Sequence, residues 1–234
     1  MWPVEGFFTL TARLDKAGDI QLTNENSDFP DQDAIDSSEE AEIEEEVVEE
    51  DPAPVIFENA KGYVATEDAD RISQQGFYGT RIDGNKLELE PFELLHLIER
   101  KRIMVKTPDG KSVGPDLIVT ELHDDNPDLW TQYLVFRDLR SRGYAVRQGF
   151  GSGIGFRVYA RGDRPGASSA NQLVYVLKEG VPISLSDLDL VTQTASGSRK
   201  NLVFAIVDQN GEVNYYRVAQ ATLRELGSEE NGEQ

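Results

Sequence analysis

Between residues 24 and 54 the chain holds almost nothing that a hydrophobic core could use. Asp, Glu and Ser dominate the stretch, and residues 39–51 are mostly acidic. Like charges at that density repel one another, and too little apolar surface is present to offset the entropy of ordering. Residues 24–54 therefore read as a disordered acidic linker. It serves either as a solubilising spacer or as an arm that docks on a basic partner or imitates nucleic acid. Whatever folds lies on either side. Residues 1–23 read as a hairpin extension, because residues 6–12 alternate loosely and Ala17-Gly18-Asp19 suits a turn. From Ala53 onward the composition becomes that of a globular chain.

The net charge of −20 argues at first against binding nucleic acid. Its distribution reverses that impression. Residues 1–60 hold 18 Asp and Glu against 2 Lys and Arg, and residues 223–234 hold 4 against 1. The part between is close to neutral and has room for a local basic face. No apolar window is long enough to span a membrane, and no basic stretch leads an apolar core as in a secretory leader. Cysteine is absent, which removes disulfides, thiolate metal sites and cysteine nucleophiles, and a cytoplasmic protein is expected.

The globular part divides into a first unit over residues 55–120 and a second over 121–226, with an acidic tail at 227–234. In the first, Val55-Ile56-Phe57 and Tyr63-Val64-Ala65 read as strands, and Asp83-Gly84 turns the chain before residues 86–89. A helix opens at Glu90-Pro91-Phe92, with Pro in its first turn and Phe92, Leu94, Leu95, Leu97 and Ile98 as its apolar face. Ile103-Met104-Val105 reads as another strand. The second unit opens on a helix capped by Asn126, with Pro127 at its first position and Gly143 past its end. Leu129, Tyr133 and Phe136 form its stripe, widened by Trp130 and Leu134. Strands follow at 144–148, 156–161, 172–178, 202–207 and 212–218, with a helix at 187–196 capped by Ser186 and stopped by Gly197. Asn210-Gly211 marks the last hairpin. The fold class is α+β: a small N-terminal α+β domain, then a C-terminal nuclease-like domain with a mixed β-sheet flanked by helices.

Few motifs carry chemistry. Gly149, Gly151, Gly153 and Gly155 alternate, but the spacing is not that of a phosphate loop and a strand follows, so a turn is expected. His96 lies in the apolar helix, where a packed histidine is the default, and His123 lies in an acidic run without ligand spacing. No metal and no cofactor is expected. Tyr159 alone reads as a strand aromatic and Lys200 alone as a surface lysine. What distinguishes them is their combination, 41 residues apart, within Phe156-Arg157-Val158-Tyr159 and Ser198-Arg199-Lys200-Asn201-Leu202-Val203-Phe204-Ala205.

That combination resembles the catalytic domain of archaeal tRNA-splicing endonucleases (tRNA-intron lyases). Residues 85–95 are similar to that family's entry into its N-terminal helix, and the likeness covers residues 55–226, one complete single-repeat subunit. The resemblance implies metal-independent cleavage of precursor tRNA at intron boundaries. The substrate's 2′-OH attacks the adjacent phosphate, leaving a 2′,3′-cyclic phosphate and a 5′-OH. It assigns Tyr159 as base and Lys200 as the cation that stabilises the charged transition state. The family's third catalytic residue, a His acting as acid, falls on Ser169, whose hydroxyl does not titrate near neutral pH. A family Arg that stacks on a flipped base falls on Gln193, which cannot make that contact. Arg199, beside the lysine, is a further RNA-contact candidate. The resemblance also implies a homo- or hetero-oligomer with endonuclease subunits, a tetramer, in which the last hairpin, with acids at Asp208 and Glu212, docks in a basic pocket of a neighbour. The alternative for that hairpin is an ordinary polar turn. The leading expectation is a structural or weakly active endonuclease subunit. The alternative is a non-catalytic RNA-binding or assembly protein that retains the fold.

Overall fold

The computed structural model describes residues 10–14, 20–24, 51–74, 76–150 and 153–220. The chain forms two compact units, Met1–Asp51 and Pro52–Gln234. In the first, β1 (Leu10–Leu14) and β2 (Ile20–Asn24) pair antiparallel, Leu14 facing Ile20. The turn expected at residues 17–19 and the acidic stretch after residue 24 lie outside the described residues.

The second unit carries two five-stranded mixed sheets. The first sheet contains β3 (Ala53–Glu58), β4 (Lys61–Val64), β5 (Thr80–Arg81), β6 (Leu87–Leu89) and β7 (Ile103–Lys106) in the order β5-β6-β4-β3-β7. Only the β3–β7 pair is parallel. Strict alternation builds β3: Ala53, Val55 and Phe57 face the core while Pro54, Ile56 and Glu58 face out. Folded structure thus begins where the composition changes, at Ala53, two residues ahead of the domain boundary expected at 55, because Ala53 already pairs with Ile103.

Three helices join these strands: α1 (Thr66–Gln74), α2 (Pro91–Glu99) and α3 (Pro115–Glu121). Helix α2 starts where the sequence places it. Its first turn is closed by a capping box, with the Glu93 carboxylate accepting the Glu90 backbone N–H at 2.9 Å. Helices α1 and α3 were not anticipated, since each is short and buries little; α1 buries only Ala69 and Ile72 and α3 only Ile118.

The C-terminal part opens on α4 (Leu129–Ser141) and continues as β8 (Val146–Gln148), β9 (Ile154–Val158), β10 (Gln172–Lys178), α5 (Leu185–Gly197), β11 (Asn201–Val207) and β12 (Val213–Val218). Sheet order is β12-β11-β10-β9-β8. β10 and β11 run parallel, joined by the α5 crossover, and every other pair is antiparallel. Several details depart from expectation. Asn126 and Pro127 belong to a turn ahead of α4: Asn126 offers its carbonyl to Leu129 N–H at 3.1 Å, and the helix begins two residues after Pro127. Trp130 is 50% exposed and so lies outside the stripe formed by Leu129, Tyr133, Leu134 and Phe136. The cap of α5 is Ser184, whose hydroxyl accepts Asp187 N–H at 3.0 Å; Ser186 sits inside the first turn. Tyr144 and Ala145 precede β8, and β9 ends at Val158, so Tyr159 to Arg161 leave the strand.

One hydrophobic core serves both expected domains. Phe92 of α2 packs on Phe136 of α4 at 4.9 Å between ring centroids and edge-on against Phe156 of β9 at 5.1 Å. Tyr215 ties β12 to α4 by donating its hydroxyl to Asp138 at 2.7 Å.

Candidate active site at the strand ends

Strand direction builds the site. β9 runs antiparallel to β10, which runs parallel to β11, so the end of β9 lies beside the starts of β10 and β11. Val158, Gln172 and Asn201 stand abreast in the register. The residues just past these positions, Tyr159, Ala170–Asn171 and Lys200, therefore share one end of the sheet.

Tyr159 is 6% exposed and packs in a small cluster with Ala145, Ala170 and Phe77. Its backbone N–H donates to the Ala145 carbonyl at 3.0 Å, which continues the strand edge one step past β9. Lys200 is half-buried immediately before β11, its backbone held by Ala195 at the end of α5. Its ammonium donates to the carbonyl of Ala170. Tyrosine and lysine thus converge on the same residue. Ser169 is the next residue upstream and is exposed, with the neighbouring Ser168 hydroxyl directed to Asp163 at 3.3 Å. The structure therefore brings Tyr159, Ser169 and Lys200 to one place.

The remaining candidates are further out. Arg199 is exposed and holds a left-handed backbone, φ 54°, in the turn that delivers Lys200. Gln193 is exposed on α5 and spends its amide on Asp189 one turn earlier, at 2.6 Å. Asp208 braces its own hairpin: one carboxylate oxygen accepts the N–H groups of Asn210 at 2.8 Å and Glu212 at 2.9 Å. Glu212 is exposed.

Beside Tyr159 lies an open pocket of about 360 Å³ lined by Arg81, Arg147, Arg157, Glu90 and Glu93. Reading the sequence did not find Glu93 as a site-supporting residue. It is 2% exposed and accepts N–H groups from Gly79 at 3.0 Å and Glu90 at 2.9 Å. Burial pushes its carboxyl above the usual range, against those two N–H groups and the nearby Arg147 guanidinium. Burial likewise draws Arg147 below its ordinary value, with Glu93 opposing. Arg147 also donates to the Gly79 carbonyl. A glutamate at the third position of a helix opening on Glu-Pro was the available sequence signal.

His96 is buried between Tyr78 and Phe136. Burial, reinforced by Arg140 and Arg100, lowers its pKa to about 4, so it is neutral at pH 7. His123 is exposed. Among the described residues no three His, Asp or Glu side chains gather as a metal site. Of the glycines, Gly149 and Gly155 face each other across β8 and β9: Gly149 N–H meets the Gly155 carbonyl at 2.7 Å, and a side chain at Gly149 would strike the Ile154 carbonyl. No helix among the described residues is long and apolar enough to cross a membrane.

Two family patterns match this chain: the tRNA intron endonuclease N-terminal domain over residues 55–119 and its catalytic C-terminal domain over residues 129–215. The chain is similar to the tRNA-splicing endonuclease of Methanothermobacter thermautotrophicus, 34% identical over 154 residues, covering 66% of this chain and 88% of that one. It is 35% identical over 170 residues to the tRNA-splicing endonuclease of Thermococcus kodakarensis, covering 70% and 96%. With the tRNA-splicing endonuclease of Methanococcoides burtonii it shares 36% over 149 residues, which is 64% of this chain but 41% of the relative. With both domains matched, in the order in which the fold presents them, the chain belongs to the tRNA intron endonuclease family.

Proposed function

We propose that this chain is a subunit of a tRNA-splicing endonuclease that opens precursor tRNA at its intron boundaries, and that its own site is of reduced activity. The convergence of Tyr159 and Lys200 on Ala170 carries the reading. In the reaction the Tyr159 oxygen acts as the base that takes the proton of the 2′-OH. The freed oxygen attacks the adjacent phosphorus, and the bond to the 5′ oxygen of the next nucleotide breaks. The products are a 2′,3′-cyclic phosphate and a 5′ oxygen that must gain a proton. Lys200, held at the sheet end, places its positive charge beside the phosphorane-like transition state. The leaving oxygen has no titrating donor, since Ser169 occupies the place where the resemblance expects a histidine. A partner subunit bearing that histidine would supply the competent site, with this chain completing the assembly in the cytoplasm.

The assembly is read as a tetramer. Among the described residues β12 is an edge strand, and the Asp208–Glu212 hairpin beside it carries two carboxylates, that of Asp208 bracing the turn and Glu212 exposed. On charge alone, the pocket carrying Arg147 and Arg157 suits such a loop from a neighbour. A second reading, a non-catalytic RNA-binding or assembly protein, is favoured by Ser169 and Gln193 together. Cleavage of a bulge–helix–bulge precursor tRNA by the purified chain, alone and with a histidine-bearing homologue, separates the two. A rate that depends on Lys200 of this chain supports the catalytic reading. A Lys200→Ala chain that cuts as well as the parent in both settings overturns it.

A further inference from the structure

Arg140 of α4 stands between two polar pockets. One, about 360 Å³, lies beside the strand-end site; Arg164, Tyr144 and Phe77 line it with Arg140, and Phe77 also packs on Tyr159. The other, about 150 Å³, is walled by Arg100, Arg102, Tyr78 and His96 along with Arg140. Arg140 is held rigidly between them. Its guanidinium lies 4.6 Å over the Tyr78 ring, one nitrogen donates to the Tyr144 carbonyl at 3.0 Å, and its buried Nε has no partner. At the mouth of the first pocket Arg161 stacks on Tyr144 at 5.3 Å.

None of Arg100, Arg140, Arg161 and Arg164 forms an ion pair among the described residues. Of the acids nearby, Asp163 lines the first pocket and receives the Ser168 hydroxyl without pairing with an arginine among the described residues, and Glu99 pairs with Arg137 and accepts the Tyr133 hydroxyl. Burial first, then Arg140 and Arg100, lower the pKa of His96 between them, with Glu99 opposing. Arginines without an ion pair among the described residues are conspicuous on a chain of net charge −20. The guanidinium fork matches phosphate oxygens, and arginines brought from three separate elements to two adjoining pockets suit an extended polyanion rather than an isolated ion.

We propose that this row is a phosphate track: precursor RNA leaving the strand-end site lays successive backbone phosphates along Arg164, Arg140 and Arg100, onto the N-terminal part of the fold. The proposal rests on the RNA-cutting function above and extends it to a surface that does no chemistry. Its role is to set the direction in which the body of the RNA departs.

The test uses the full chain, in whatever assembly it forms, and a labelled precursor tRNA with a bulge–helix–bulge. Kd is measured across salt concentrations for the parent, for the double variant Arg100→Gln with Arg164→Gln, and for Lys178→Gln. Lys178 is exposed at the far end of β10 from Tyr159 and serves as the control. Both arginines are exposed, so the thermal midpoint of the double variant should match the parent. The expected result is a flatter dependence of log Kd on log salt for the double variant, by about 0.7–0.9 per lost phosphate contact, with weaker binding at low salt. Lys178→Gln should leave both slope and affinity unchanged. Tight binding by the parent with an unaltered slope in the double variant overturns the track and leaves the RNA function standing. An equal loss in Lys178→Gln overturns it as well, by showing a general charge effect. A parent that binds no RNA removes both readings together.

Discussion

Ser169 stands one residue ahead of the carbonyl that receives Lys200, and it is exposed. An imidazole there would have open space and a titrating proton. Ser169→His is therefore expected to raise single-turnover cleavage by the chain alone, towards the ~10²–10⁴-fold that a positioned acid contributes. Product ends bearing 2′,3′-cyclic phosphate report it, and an unchanged rate counts against the assignment of the acid position. His96 makes a prediction of a different kind. The unfolded chain takes up the histidine proton below about pH 6.5, whereas the folded chain resists until about 4. Stability attached to this residue is present above pH 6.5 and lost as pH falls towards 4, by roughly 3 kcal/mol at the limit. His96→Phe, packed between the same rings, should remove that loss. Urea midpoints compared at pH 7 and pH 4.5 check it: the variant should gain on the parent at the lower pH. At this scale the sequence was informative where two residues acted jointly, as Tyr159 and Lys200 do. It was silent on Glu93 and Arg147, because a buried carboxylate among leucines looks like a surface position until the chain folds over it.

Elements were legible in proportion to the apolar area they bury. Helix α2 announces itself through Pro91 and four core residues, and β10 through an unbroken apolar run. Helices α1 and α3 have one or two buried residues each, which is too little periodicity to separate from loop. The cap of α5 was misplaced because Ser184 and Ser186 are chemically equivalent, and only the direction of Asp187 N–H distinguishes them. The last hairpin allows a sharper test. Asp208 braces the turn through an acceptor that an amide also offers, so Asp208→Asn with Glu212→Gln removes two charges while keeping the turn. On the proposed tetramer, sedimentation should shift towards dimer with circular dichroism unchanged, since charge lost at a contact weakens association more than folding. Retention of the full assembly would argue that the hairpin is only a turn.

For the molecule as a whole, the acidic stretch and the core lie in separate units. The second unit encloses its own core from Ala53 onward, so deleting residues 1–51 is expected to move the thermal midpoint by no more than about 2 °C. Extending the deletion through residue 54 should lower it further, because Ala53 and Pro54 pair with Ile103 and Met104 in the first sheet. A large drop already at 51 would mean that the first unit supports the second.

The α5 crossover has one more consequence, and it concerns time. Tyr159 follows a strand that pairs antiparallel with β8, its neighbour in sequence, whereas Lys200 must be carried from one end of the sheet back to the other before β11 can lie parallel to β10. Parallel pairing through such a connection is among the slower steps open to a chain, since loop closure precedes any gain from contact. A chain still emerging from the ribosome can thus hold its tyrosine in place while its cation is unpaired or not yet made. The two halves of the proposed site therefore come together only once the fold is nearly complete.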